Sequence, residues 1–308
     1  MNKMPYNYKA YGLPLISEIE LPALVLDNDA ENSVNPISVR VGKVPETLTS
    51  APLETKPFTT FNENELKYQI DKIGKYYIAN GTEIIIEPLS ENWDEVLLYF
   101  YSNCLAAALF QRNIIPFHVS GVFTEPKKVI LFAAPSRTGK STTSLMLQQK
   151  GYKPFTDDTA ILKVKNKKCY AQASYPMIRL WQNTIEKQSK FGEHEKQQIY
   201  AEINKFGFAF HEEFNAEEVE VSGIVFLEEA GSDIKIEKLT PAKCMQNLGN
   251  NIYRIQWLAG MNKQNLQFMQ LTQFANILPA WTATRPKGID SFDSFSEAII
   301  SQIIKCDE

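Results

Sequence analysis

The run Ala134-Pro135-Ser136-Arg137-Thr138-Gly139-Lys140-Ser141-Thr142 constrains the fold most, because it joins two segments that demand different secondary structure. Before it, Val129-Ile130-Leu131-Phe132-Ala133 is an uninterrupted apolar stretch of the buried-strand type. After it, residues 141–150 have helical spacing and meet Gly151, a helix stop. The pattern glycine, four residues, Gly-Lys-Ser/Thr brings backbone N–H groups onto phosphate oxygens, with the lysine reaching phosphate and the hydroxyl reaching Mg²⁺. Ala134 stands where that pattern has its first glycine. The order strand, loop, helix aims a helix N-terminus and its dipole at the bound anion, which an ordinary turn with a surface lysine would have no reason to do.

A second element follows the loop helix at once. Thr156-Asp157-Asp158 comes after a short turn through Gly151 and Pro154. Adjacent carboxylates repel unless a metal, a lysine or a proton relieves them, so a pair delivered beside a Mg²⁺–phosphate site has an evident use. Taken alone, Asp-Asp reads as an exposed turn, and its closeness to the loop is what favours catalysis. In most phosphate-loop NTPases the metal-holding Asp ends a strand much further along the chain. His118, in Pro116-Phe117-His118-Val119-Ser120, comes immediately before the loop strand and reads alone as a structural histidine.

The chain divides near residue 92. From Tyr8 to about Leu89, short alternating or β-branched runs are broken by turn signals, among them Asn80-Gly81 between Tyr76-Tyr77-Ile78 and Ile84-Ile85-Ile86, a hairpin signal. Asn92 then opens a helix-period run to roughly Arg112. Beyond it strands and helices alternate: 160–164 and 169–173 are paired strands whose Lys-rich connection reads as a solvated hairpin tip. Residues 219–227 and 234–239 are strands, Thr240-Pro241 starts a helix, and Ser294-x-x-Glu297 reads as the capping box of the last one. The expected organisation is a β-rich segment over 1–92 and an α/β segment over 93–308.

Composition narrows the function classes. With 308 residues and 44% apolar side chains the chain folds as a globular protein. The longest apolar stretch, residues 104–110, is far short of the ~20 residues a spanning helix needs, and residues 1–9 have no signal-peptide character, so a cytoplasmic protein without membrane association is expected. Cys104, Cys169, Cys244 and Cys306 are scattered without a CxxC, which argues for reduced thiols rather than a zinc site or disulfide framework. Residues 1–98 hold 8 basic and 15 acidic side chains, whereas 125–170 hold 10 basic and 3 acidic. A local basic zone in an acidic protein suits a phosphorylated small ligand, and nucleic acid is not expected as a partner.

Taken together, His118-x-Ser120, Pro135 to Thr142, Gly151 and Asp157-Asp158 resemble the HPr serine kinase/phosphorylase family. The likeness is nearest to its peptide-modifying members of lasso-peptide and other ribosomal-peptide clusters. Tyr11-Gly12-Leu13, Ser17 to Pro22, Gly74 to Tyr77, Phe226-Leu227-Glu228 and Leu239 to Ala242 extend the resemblance over nearly the whole chain. It implies an α/β fold, a phosphate-loop kinase domain of the HPr kinase/PEP carboxykinase-like type preceded by a smaller β-rich domain.

The resemblance also implies the chemistry: an ATP- and Mg²⁺-dependent kinase that phosphorylates a serine hydroxyl, in a precursor peptide. Residues 136–142 (Ser136, Arg137, Thr138, Gly139, Lys140, Ser141 and Thr142) would cradle ATP, with Lys140 on the β/γ-phosphates. Ser141 and Asp157 would hold Mg²⁺, Asp158 would be the base, and His118 would lie beside it. An arginine on the transferring phosphoryl group is expected from Arg179, Arg254 or Arg285, with Arg179 preferred. Between 169 and 208 only Gly192 and Gly207 answer to the family's Gly-rich metal signature, so phosphorylase activity is not expected. The alternatives are a kinase of a small hydroxyl compound such as free serine, and a nucleotide-binding regulator with weak turnover. Homo-oligomerisation is left open.

Overall fold

The computed structural model describes residues 5–136, 138–181, 197–200 and 203–306, with backbone alone for 31, 178–181, 197–200 and 203–209. Residues 6–88 contribute a mixed nine-stranded sheet. Its order runs Val25–Leu26, Tyr6–Ala10, Leu13–Ser17, Ile37–Val41, Glu83–Pro88, Gly74–Ala79, Glu65–Ile70, Thr59–Phe61, Glu54–Lys56. The expected Asn80-Gly81 hairpin is present: both residues have positive φ (54° and 66°), the twist-matched geometry that Asn and Gly tolerate best.

One carboxylate organises the outer half of this sheet. Glu65 is buried and accepts from Thr49 N at 3.0 Å, Thr49 Oγ1 at 2.8 Å, Asn62 Nδ2 at 3.2 Å and Tyr77 Oη at 2.6 Å, pinning the 42–53 connection to the strands. Burial opposes its charge, but these donors outweigh it and draw its pKa from 4.5 to about 2.

Asn92 caps the helical stretch 93–111, its side chain accepting from Asp94 N. The helix widens to a π turn over Phe100–Cys104. Just before that turn the N-terminal sheet fastens to the helix: Tyr68 donates to the Tyr99 carbonyl at 2.9 Å, and Tyr76 to the Val96 carbonyl at 2.8 Å. The buried face of this helix belongs to a single apolar core that runs from Tyr8 and Ile84 through Leu105 and Phe110 to Leu131, Ile224 and Phe274.

The second sheet carries the phosphate-loop strand. Lys128–Ala133 lies between antiparallel Val119–Glu125 and parallel Val219–Glu229, and the latter is followed by parallel Ala280–Arg285. Its side chains alternate between two cores. Val129, Leu131 and Ala133 face the main one; Ile130 and Phe132 face a second with Leu147, Phe295 and Ile299 from the helices Lys140–Gln149 and Phe292–Ile299. Burial on both faces is why the sequence reads as a continuous apolar run.

Strands Ala160–Lys165 and Lys168–Ala173 form the expected hairpin, and three of its lysines are paired: Lys163 and Lys165 with Glu218, and Lys168 with Glu220 at 2.7 Å. Thr240 caps Pro241–Asn250 as expected. The capping box at Ser294 is overturned. The last helix begins at Phe292, and the Ser294 hydroxyl donates back to the Ser291 carbonyl at 3.1 Å. Packing of the Phe292 ring under the Arg285 guanidinium, 4.3 Å from its centroid, draws the first turn in ahead of the serine. All four cysteines are free thiols. Among the described residues no helix is long and apolar enough to cross a membrane.

Candidate functional site

Strand register brings the singled-out residues to one sheet edge. Val119–Glu125 is central: Val119 pairs with Ala133 on one side and Gly121 with Thr156 of Pro154–Thr156 on the other. Both neighbours run antiparallel to it. They therefore leave the sheet at the edge where it begins, one into the phosphate loop and the other into Asp157-Asp158. His118, immediately before Val119, stands at the same edge.

In the loop, Gly139 has φ 106° and immediately precedes the helix Lys140–Gln149. A Cβ there would lie 2.8 Å from Cε1 of Phe292, so conformation and space both demand glycine. Lys140 is 7% exposed, and its Nζ donates to the Ala134 carbonyl at 2.9 Å, closing the loop upon itself. The Ser141 hydroxyl donates to Asp157 Oδ1 at 2.8 Å, so the first helical turn and the acid pair touch directly. Ser136 is exposed, and Thr138 and Thr142 are half-buried beside them. Arg137 lies outside the described residues.

The two acids differ. Asp157 is 4% exposed, which overturns the exposed-turn alternative. Asp158 is less buried, has φ 93°, and its Oδ1 is 3.6 Å from His118 Nε2. The His118 ring meets Tyr253 edge-on at 5.9 Å. A left-handed, non-glycine residue is costly and persists where its surroundings over-determine it. Here the Thr156 hydroxyl donates to the Thr159 carbonyl across the pair at 2.8 Å.

Three arginines were candidates. Arg285 ends its strand at the carboxyl edge shared with the phosphate loop, buried, and pairs with Glu229 at 2.9 Å. Arg254 lies 5.1 Å from the Tyr253 ring and 5.9 Å from that of Trp257. Arg179 is on the strand Met177–Trp181, but its side chain is outside the described residues, as is Gly192. Sequence reasoning gave no role to Phe292, which buttresses Gly139, or to Thr159, whose hydroxyl meets that of Tyr11 at 2.6 Å. Neither contact has a local signal, since both partners are more than 140 residues away.

Hard oxygen donors from Ser141 and Asp157, beside an anion-favouring helix N-terminus, suit Mg²⁺, which ordinarily takes one or two carboxylates and shares the rest of its shell with water and phosphate. Among the described residues no group of three or more His, Cys, Asp and Glu forms a closed metal cage.

No protein-family model matches the chain, and no curated protein matches it. Among solved structures, the HPr(Ser) kinase/phosphatase from Coxiella burnetii aligns over 63% of this chain and 99% of its own, with 11% identity and a TM-score of 0.32. At that identity and score the likeness carries no argument about activity.

Proposed function

We propose that this chain is an ATP- and Mg²⁺-dependent phosphotransferase of the HPr-kinase-like type that phosphorylates a serine hydroxyl in a ribosomally made precursor peptide. The observation that carries the reading is the 2.8 Å contact between Ser141 and Asp157, which joins the phosphate loop to the acid pair. Lys140 and the N–H groups of the loop would hold the β/γ-phosphates, and Mg²⁺ on Ser141 and Asp157 would neutralise charge on the transferring group.

Asp158 then has the role of base. The serine oxygen bonds to the γ-phosphorus, its proton passes to the Asp158 carboxylate, and the bond to the ADP oxygen breaks. His118, 3.6 Å from that carboxylate, orients it. Phosphoryl transfer depends on positioning and charge neutralisation, which this set would supply together with an arginine on the transferring group, Arg179 being preferred. The sequence resemblance to peptide-modifying kinases and the large N-terminal sheet, which offers strand edges to an extended chain, favour a peptide acceptor over a small molecule.

Mass spectrometry of a serine-containing precursor peptide after incubation with Mg·ATP tests the acceptor. The expected product carries one added phosphate on serine. Phosphorylation of free serine with every candidate peptide untouched would overturn the peptide assignment and leave the phosphotransferase.

A further inference from the structure

The hairpin joining the first two strands of the N-terminal sheet reaches the acid pair. Tyr11 stands at its tip with φ 52°, followed by Gly12 at φ 69°. Its phenol, 3% exposed, shares a 2.6 Å hydrogen bond with Thr159 Oγ1 across 148 residues of sequence. The Tyr11 N–H donates to the Ser174 carbonyl at 3.1 Å. Gly12 is so close to Gln172 that a Cβ on it would be 2.4 Å from Nε2. The tip is keyed into this place by backbone, side chain and shape at once.

Thr159 is the residue after Asp158 and is 2% exposed. Its hydroxyl is engaged by Tyr11 and its carbonyl by the Thr156 hydroxyl. Asp158 is therefore suspended at φ 93° within a turn whose far side is held from the N-terminal sheet. Burial, reinforced by Tyr175, raises the Tyr11 pKa well above its ordinary value, so the phenol acts as a neutral hydrogen-bonding group.

We propose that Tyr11 is a positioning residue for Asp158: through Thr159, the N-terminal hairpin fixes the turn that presents the acid pair to the phosphate loop. The catalytic half of this inference rests on the phosphotransferase reading above, whereas the clamp itself does not. A tyrosine that merely filled the core would be replaced without consequence by phenylalanine, which keeps the ring and removes only the hydroxyl.

The test uses the full chain as Tyr11→Phe, Thr159→Val, the double variant and Thr159→Ser, read by hydrogen exchange and by turnover. Each of the first two is expected to speed amide exchange over residues 157–159 about tenfold, the equivalent of one lost hydrogen bond, with the strand Lys128–Ala133 unchanged. At saturating Mg²⁺ the value of kcat falls by roughly tenfold with KM for ATP unaltered, because the base is misplaced while Lys140 and the loop N–H groups that hold the phosphates are not. The double variant is no worse than either single one, and Thr159→Ser restores both readouts. Unchanged exchange at 157–159 in Tyr11→Phe, or additive effects in the double variant, overturns the clamp. Loosened exchange in a protein whose wild type transfers no phosphate leaves the clamp standing and overturns the function.

Discussion

Gly139 shapes the turn that enters the loop helix, and Asp157 meets the first turn of that helix through Ser141 at 2.8 Å. Gly139→Ala meets a φ of 106° and the Phe292 ring together, so it is expected to cost about 1–3 kcal/mol from the backbone alone, read as a lowered thermal midpoint. It also disorders the turn that aims the helix N-terminus, so nucleotide affinity falls with stability. Asp157→Asn keeps the shape of the side chain and its contact with Ser141 but removes the charge. The expected outcome is a higher Mg²⁺ concentration for half-maximal turnover with the saturated rate nearly kept, measured by metal titration. A saturated rate reduced as far as that of Asp158→Asn would mean that the two acids have been assigned in the wrong order.

At the scale of elements, the N-terminal sheet depends on Glu65. Its pKa is lowered by folding from 4.5 to about 2, so it stabilises the folded state fully above pH 4.5, and that contribution is lost as pH falls toward 2. Glu65→Gln should therefore destabilise the protein by on the order of 3 kcal/mol at neutral pH, and the gap to wild type should close on acidification. Denaturant unfolding at pH 7 and pH 3 checks the sign; a gap that widens in acid contradicts it. Glu65 gave no sequence signal because its donors, Thr49, Asn62 and Tyr77, come from separate turns and strands. By contrast, the loop strand, its helix and the Asn80-Gly81 hairpin were legible because burial, capping and turn chemistry are written in consecutive residues. The start of the last helix departs from its local pattern for the opposite reason: the Ser294 pattern is local, and the packing of Phe292 that overrides it is not. The placement of His118 near Asp158 followed from the family resemblance, whereas the Tyr11 contact needed the folded chain.

Across the whole molecule, the main apolar core includes the N-terminal sheet, the helix 93–111 and the second sheet without interruption. Phe110 lies fully buried in it. Phe110→Ala is expected to cost about 3–5 kcal/mol and to lower exchange protection in Gly74–Ala79 and Lys128–Ala133 together, in one cooperative transition. Loss confined to one of the two strands would show that the halves melt separately. The same continuity sets the first hairpin of the N-terminal sheet against Thr159, the residue after the acid pair.

In the proposed function the phosphate loop and Asp158 together transfer a phosphoryl group. Single-turnover transfer from Mg·ATP to peptide serine, followed in wild type and in Asp158→Asn, addresses it most directly. Asp158→Asn is expected to bind Mg·ATP as wild type does and to transfer roughly 10²–10⁴ times more slowly. Equal transfer rates for the two proteins, both folded and both saturated with Mg·ATP, would contradict it.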